Sequence, residues 1–197
     1  MTKRKISAAN SMRGFTLIEM IGVLAIIAIL ASIVAPRVFN AIADARVISV
    51  VETGNATKAA LIDYFRGKGK LPDSAHPGKE LVAAGFLEGM PDAKVHVGDS
   101  MRFARGMGAA LGSIPGKTPF AYDLDGKGDI DVGPANVIFE FQFRSVNIAD
   151  AWDLSQMIDG ATLSQADGTT ADLQGRVAYA APVDGVTPSL HFYLTHR

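Results

Sequence analysis

Twenty-one consecutive residues, Phe15 to Ala35, carry a single charge, Glu19. At roughly 1.5 Å per residue this run makes a helix about 32 Å long, enough to cross a bilayer core. The feature divides the chain into a basic leader (1–14), a transmembrane half of a long helix (15–36), an amphipathic half (37–66) and an exported globular part (67–197). Lys3, Arg4, Lys5 and Arg13 precede the apolar run, and no acid does. That asymmetry predicts a single-pass protein with a cytoplasmic N-terminus and residues 37–197 outside the inner membrane. Without residues 1–14 the chain keeps 15 basic and 20 acidic residues, a net charge of −5. No direct nucleic-acid binding is expected from that balance. There is no cysteine, so the head must hold itself by core packing or a metal, and lipid anchoring through an N-terminal cysteine is excluded.

Glu19 is the anomaly. A secretory signal peptide has the basic flank, but its best small-residue cut follows Ala35 and places Pro36 just after the scissile bond. A plain uncut anchor explains length and flanks, yet gains nothing from an acid that costs about 2.5–3.5 kcal/mol at membrane depth. A third reading accounts for the acid. "GFTLIE", Gly14 to Glu19, resembles the processing motif of type IV pilins and of the pseudopilins of type II secretion. The resemblance implies cleavage by prepilin peptidase between Gly14 and Phe15, methylation of the new Phe15 amine by the same enzyme, and retention of the helix. It also implies assembly through the helix into a filament of identical subunits, raised from membrane lipid by the inner-membrane assembly platform of the pilus or secretion system. Glu19 then neutralises a Phe15 amine, its own or a neighbour's, and sets register. Two desolvated opposite charges attract far more strongly than in water. Gly22 and Pro36 weaken or break helices, and the resemblance implies unwinding between them when the subunit enters the filament.

Beyond Pro36 the pattern becomes amphipathic. Val47, Val50, Val51, Leu61, Tyr64 and Phe65 fall near one face, predicting one helix from about Phe15 to Arg66 with a weak point at Gly54–Asn55. Arg66 to Lys79 reads as a loop, followed by a short helix at about Gly78–Ala84, as in pilins. In "NVIFEFQFRSV", Phe139, Phe141 and Phe143 alternate with Glu140, Gln142 and Arg144, which predicts a half-buried strand. Ile148 to Gly160 reads as a helix burying Ala149, Trp152 and Met157. "GRVAYAAPV" and "SLHFYLTH" read as strands, with others near Met101–Ala104 and Pro119–Asp123. The expected fold is therefore pilin-like α+β, a long N-terminal helix packed against a small antiparallel sheet.

"DLDGKGDID" places Asp123, Asp125, Asp129 and Asp131 around two glycines, a pattern that suits a Ca²⁺ loop. Lys127 and the absence of a twelfth-position Glu depart from an EF-hand, and a solvated acidic turn reads equally from these residues. No other cofactor is expected. His76, His96, His191 and His196 are scattered and read as surface residues. No G-x-S-x-G, P-loop or dinucleotide fingerprint stands in a strand–turn–helix setting. The expectation is a structural subunit without catalytic residues. The alternative is a signal-anchored periplasmic binding or enzymatic domain that does not polymerise.

Overall fold

A computed structural model describes residues 14–95, 100–107, 122–133, 135–164 and 169–196. The expected leader positions Lys3, Arg4, Lys5 and Arg13, together with His96 and Pro119, lie outside the described residues. The chain divides into two compact units, Met1–Ala41 and Ile42–Arg197.

In the first unit, helix α1 begins at Leu17, and the helix as a whole runs Leu17–Lys68. The expected limits, Phe15 to Arg66, differ by two residues at each end. It passes unbroken through Gly22 and Pro36 in the isolated chain. Every residue from Gly14 to Ala41 is exposed. These residues include Leu24, Ile26, Ile29 and Ile33, each more than half exposed. The helix is long and apolar enough to cross a membrane.

The second unit holds α2 (Pro77–Ala83), β1 (Ser100–Met107), β2 (Val137–Arg144), β3 (Val146–Asn147), α3 (Ile148–Asp159), β4 (Val177–Tyr179), β5 (Val186–Thr187) and β6 (Leu190–His196). The main sheet is antiparallel in the order β1-β2-β6-β4, and β3 pairs with β5 separately. Val47, Val50, Leu61 and Tyr64 of α1 enter one core with Phe139, Phe141, Phe143, Phe192 and Leu194. Phe141 sits edge-on to Phe103 and Phe192, with ring centroids 5.5 and 6.1 Å away, a geometry that adds to simple area burial.

Gly54 is a point of close approach and not a weak point in α1. It is buried within the helix, and a Cβ there would lie 2.5 Å from Phe192 Cε1. The glycine lets β6 press directly on the helix backbone, so tertiary packing overrides its poor helix propensity. Gly54→Ala is expected to destabilise the head by about 1–3 kcal/mol through overpacking, read as a lower thermal midpoint of the full chain in detergent.

The connection from α1 to α2 is held by Glu80, which accepts from Tyr64 Oη at 2.5 Å and from the Asp73 and Ser74 amides at 3.0 and 3.1 Å. The Tyr64 hydroxyl, chiefly, and these amides hold the Glu80 carboxyl below its ordinary value, against an opposing desolvation effect. A depressed folded value means that the stabilisation is present above the unfolded carboxylate range and is lost as pH falls through the folded value. Wild type is thus expected to lose stability on acidification below about pH 4.5 more steeply than Glu80→Gln, as followed by thermal unfolding across pH.

Two expectations about the head need correction. β2 is not half-buried: Ile138 and Glu140, on the face opposite the phenylalanines, are fully buried. Tyr122 and Val132, from the segment before β2, cover that face together with Ala178 and Tyr193. The cover lies outside the strand, so the alternation within β2 could not reveal it. Helix α3 faces the other way. Its buried residues are Asp150, Ala151, Leu154 and Ser155, while Ala149, Trp152 and Met157 are exposed. Polar links fix this phase. Asn147 caps the helix by accepting from the Ala149 amide at 2.9 Å. Ser155 Oγ donates to Asp172 at 2.8 Å, and Asp159 accepts the Arg176 and Val177 amides at 2.8 and 2.9 Å. Burial nevertheless pushes the Asp159 carboxyl above its ordinary value, outweighing those amides.

Candidate processing and assembly site

The peptide Gly14–Phe15 lies outside the helix, and Phe15 is 83% exposed. Thr16 is the residue that stops the helix there. Its hydroxyl accepts from the Glu19 amide at 3.3 Å, and Glu19 Oε2 accepts both the Thr16 amide and the Thr16 hydroxyl at 2.8 Å. This reciprocal arrangement is a capping box: each side chain satisfies an amide left open by the first turn. Its signature, S/T-x-x-E before an apolar run, is present in the sequence, and Thr16 is the residue that the motif-level reading passed over. Cutting at Gly14–Phe15 leaves the Thr16 amide intact, so the box survives processing. Both donors from Thr16 fall on Oε2, and Oε1 takes no part in the box. Gly14, Phe15 and Glu19 are thus brought within one exposed helix start, while Gly22 and Pro36 lie farther along the same continuous helix.

The acidic loop gathers three of the four expected aspartates. Asp123, Asp125 and Asp131 each place one carboxylate oxygen within 4.8 Å of the others, and Asp129 is not part of the group. Asp123 accepts the amides of Gly126, Lys127 and Gly128 at 2.8–3.1 Å. Asp131 accepts those of Leu124 and Asp125 at 2.5 and 3.0 Å. Lys127 Nζ sits 2.5 Å from Asp125 and, chiefly through that contact, holds its carboxyl below the ordinary value. The carboxylates close the turn on the chain's own donors, whereas Ca²⁺ requires six to eight oxygen ligands. Millimolar Ca²⁺ or its chelation is expected to leave the thermal midpoint within about 1 °C. A rise of several degrees with Ca²⁺ would instead assign a cation to the loop.

His191 does not lie on the surface. It is buried, with Nδ1 3.1 Å from Glu140 Oε1. His196 approaches Tyr193, and His76 is exposed. Among the described residues these histidines do not gather into a metal set. An apolar groove of about 220 Å³ is lined by Leu61, Ile62, Phe65, Leu71, Thr195 and His196.

Comparison with known proteins agrees with the chemistry of the N-terminus. Residues 9–35 match the family model described as the prokaryotic N-terminal methylation motif. No curated protein and no solved structure matches the chain. The chain therefore carries, at the start of its long apolar helix, the signature of type IV pilins and pseudopilins.

Proposed function

We propose that this chain is the precursor of a filament subunit, belonging to a type IV pilus or a type II secretion pseudopilus. The observation that carries the reading is the meeting of three features at one place: the methylation motif, a Gly14–Phe15 peptide held outside the helix, and a carboxylate at the helix start. Prepilin peptidase cuts on the cytoplasmic side, where the basic leader is retained, and methylates the Phe15 amine. The helix stays in the membrane with the head in the periplasm. The assembly platform then draws the subunit into the polymer, and Glu19 neutralises the amine of a neighbour. Gly22 and Pro36 are the points at which the helix unwinds on leaving lipid.

The test is a mass spectrum of the N-terminal peptide from protein in its native membrane fraction. A peptide beginning at Phe15 with one added methyl supports the filament subunit. A peptide still carrying Lys3 to Arg13, in cells with an active peptidase, overturns it in favour of an anchored, non-polymerising domain. A retraction ATPase encoded beside the gene assigns the pilus, and a complete secretion operon assigns the pseudopilus.

A further inference from the structure

The apolar groove between α1 and the end of β6 has cationic surroundings. On α1, Lys58, Ile62 and Phe65 stand at positions i, i+4 and i+7, which share one helix face. Ile62 is 40% exposed there, and Phe65 is half-buried. Arg66 follows Phe65 in the chain, and Lys70 directly precedes Leu71, another lining residue. Residues 58–71 hold Lys58, Arg66, Lys68 and Lys70 against one acid, Asp63, a net of +3. Outside this segment and the basic leader the chain has 11 basic and 19 acidic residues, a net of −8. Asp63 pairs with Arg66 at 3.3 Å. Lys58, Lys68 and Lys70 form no ion pair among the described residues.

Size and charge decide the occupant. At about 220 Å³ the groove is smaller than the roughly 300–1,000 Å³ of small-molecule sites. It suits one or two apolar side chains of a larger partner, entering as anchors enter a pocket. A nucleic-acid backbone brings negative charge but no apolar group for the groove. A protein segment in which acidic residues flank apolar ones supplies both, and complementary charge around an apolar anchor selects the partner and speeds its capture.

We infer that this groove docks a short acidic segment of a different protein. One or two large apolar side chains fill the space lined by Ile62, Phe65 and Thr195, and the flanking carboxylates pair with Lys58 and Lys70. All the groove residues belong to the second unit, and the inference does not depend on filament formation.

The test is fluorescence anisotropy of a labelled peptide, Asp-Glu-Leu-Phe-Glu-Asp, with the full-length chain in detergent and empty micelles as background. Two control peptides carry Ser-Ser in place of Leu-Phe, or Lys in place of every acid. The acidic apolar peptide is expected to bind at least about tenfold more tightly than either control. Ile62→Ser should weaken its binding about fivefold, and Lys58→Glu with Lys70→Glu about tenfold. These positions lie at or near the surface, so both variants should melt within about 3 °C of wild type. Equal binding of the serine peptide, or wild-type affinity in both variants, would overturn the inference. Tighter binding of an oligothymidylate than of the peptide would assign the cations to a phosphate backbone and overturn it. Association of the processed chain with itself that shuts the peptide out would place a second copy in the groove and overturn it as well.

Discussion

Glu19→Ala is expected to leave cleavage after Gly14 largely intact and to reduce incorporation into filaments by at least about a hundredfold. Glu19 has two duties in the proposed cycle, and their magnitudes differ. As half of the capping box with Thr16, it is worth about 0.5–2 kcal/mol of helix stability. As partner to a neighbour's desolvated amine, its loss strands a buried charge at roughly 3–5 kcal/mol. A hundredfold loss corresponds to about 2.7 kcal/mol, beyond what a cap alone supplies. Thr16→Ala separates the two duties, since it breaks the box and keeps the carboxylate. It should lower filament yield by no more than about thirtyfold, the upper limit of the cap's worth, as quantified by immunoblot of sheared and membrane fractions. Equal defects in the two variants would mean that Glu19 acts only as a cap, and the proposed charge pairing between subunits would then be abandoned.

How far the sequence alone reaches depends on the range of the interactions involved. Local and periodic signals carried the long helix to within two residues at each end, and they placed β2 and β6. The Phe139–Phe141–Phe143 stripe was legible for the same reason. What a distant segment decides was not. Glu140 and His191 read as surface residues because Tyr122 and Val132, which cover that face, lie upstream of the strand and outside its alternation. Gly54 read as a helix defect because Phe192, which needs the space, arrives from the far end of the chain. The phase of α3 was misread because polar links that periodicity does not show hold its buried side. Trp152 and Met157 are the residues that a core-seeking pattern selects first, and they face solvent. At the N-terminus the opposite holds. The contacts of Thr16 and Glu19 are only three residues apart, so the whole geometry was written in a six-residue stretch.

Inside the head, Glu140→Ala is expected to destabilise the fold by about 3–5 kcal/mol. For a unit of this size that lowers the thermal midpoint by roughly 6–20 °C. The carboxylate is fully buried and joins three elements. Tyr122 Oη donates to Oε2 at 2.6 Å, Gln142 Nε2 donates to Oε1 at 2.6 Å, and His191 Nδ1 lies 3.1 Å from Oε1. Burial, and then the negative charge of Glu140, raise the Tyr122 hydroxyl well above its ordinary value, so it stays protonated and continues to donate. Alanine removes the acceptor and leaves two buried polar groups, on Tyr122 and His191, with a lost partner, each costing about 1–3 kcal/mol, and a third on the part-buried Gln142. If that loss is the mechanism, the network should be separable from mere packing. Tyr122→Phe with Glu140→Leu and His191→Leu removes the acceptor and its two buried partners together, leaving only the part-buried Gln142 amide, and should recover most of the stability that Glu140→Ala loses. Near-ultraviolet circular dichroism of the full chain in detergent reads both variants. A triple variant that melts as low as the single one would show that the pocket needs the carboxylate's shape, not its hydrogen bonds.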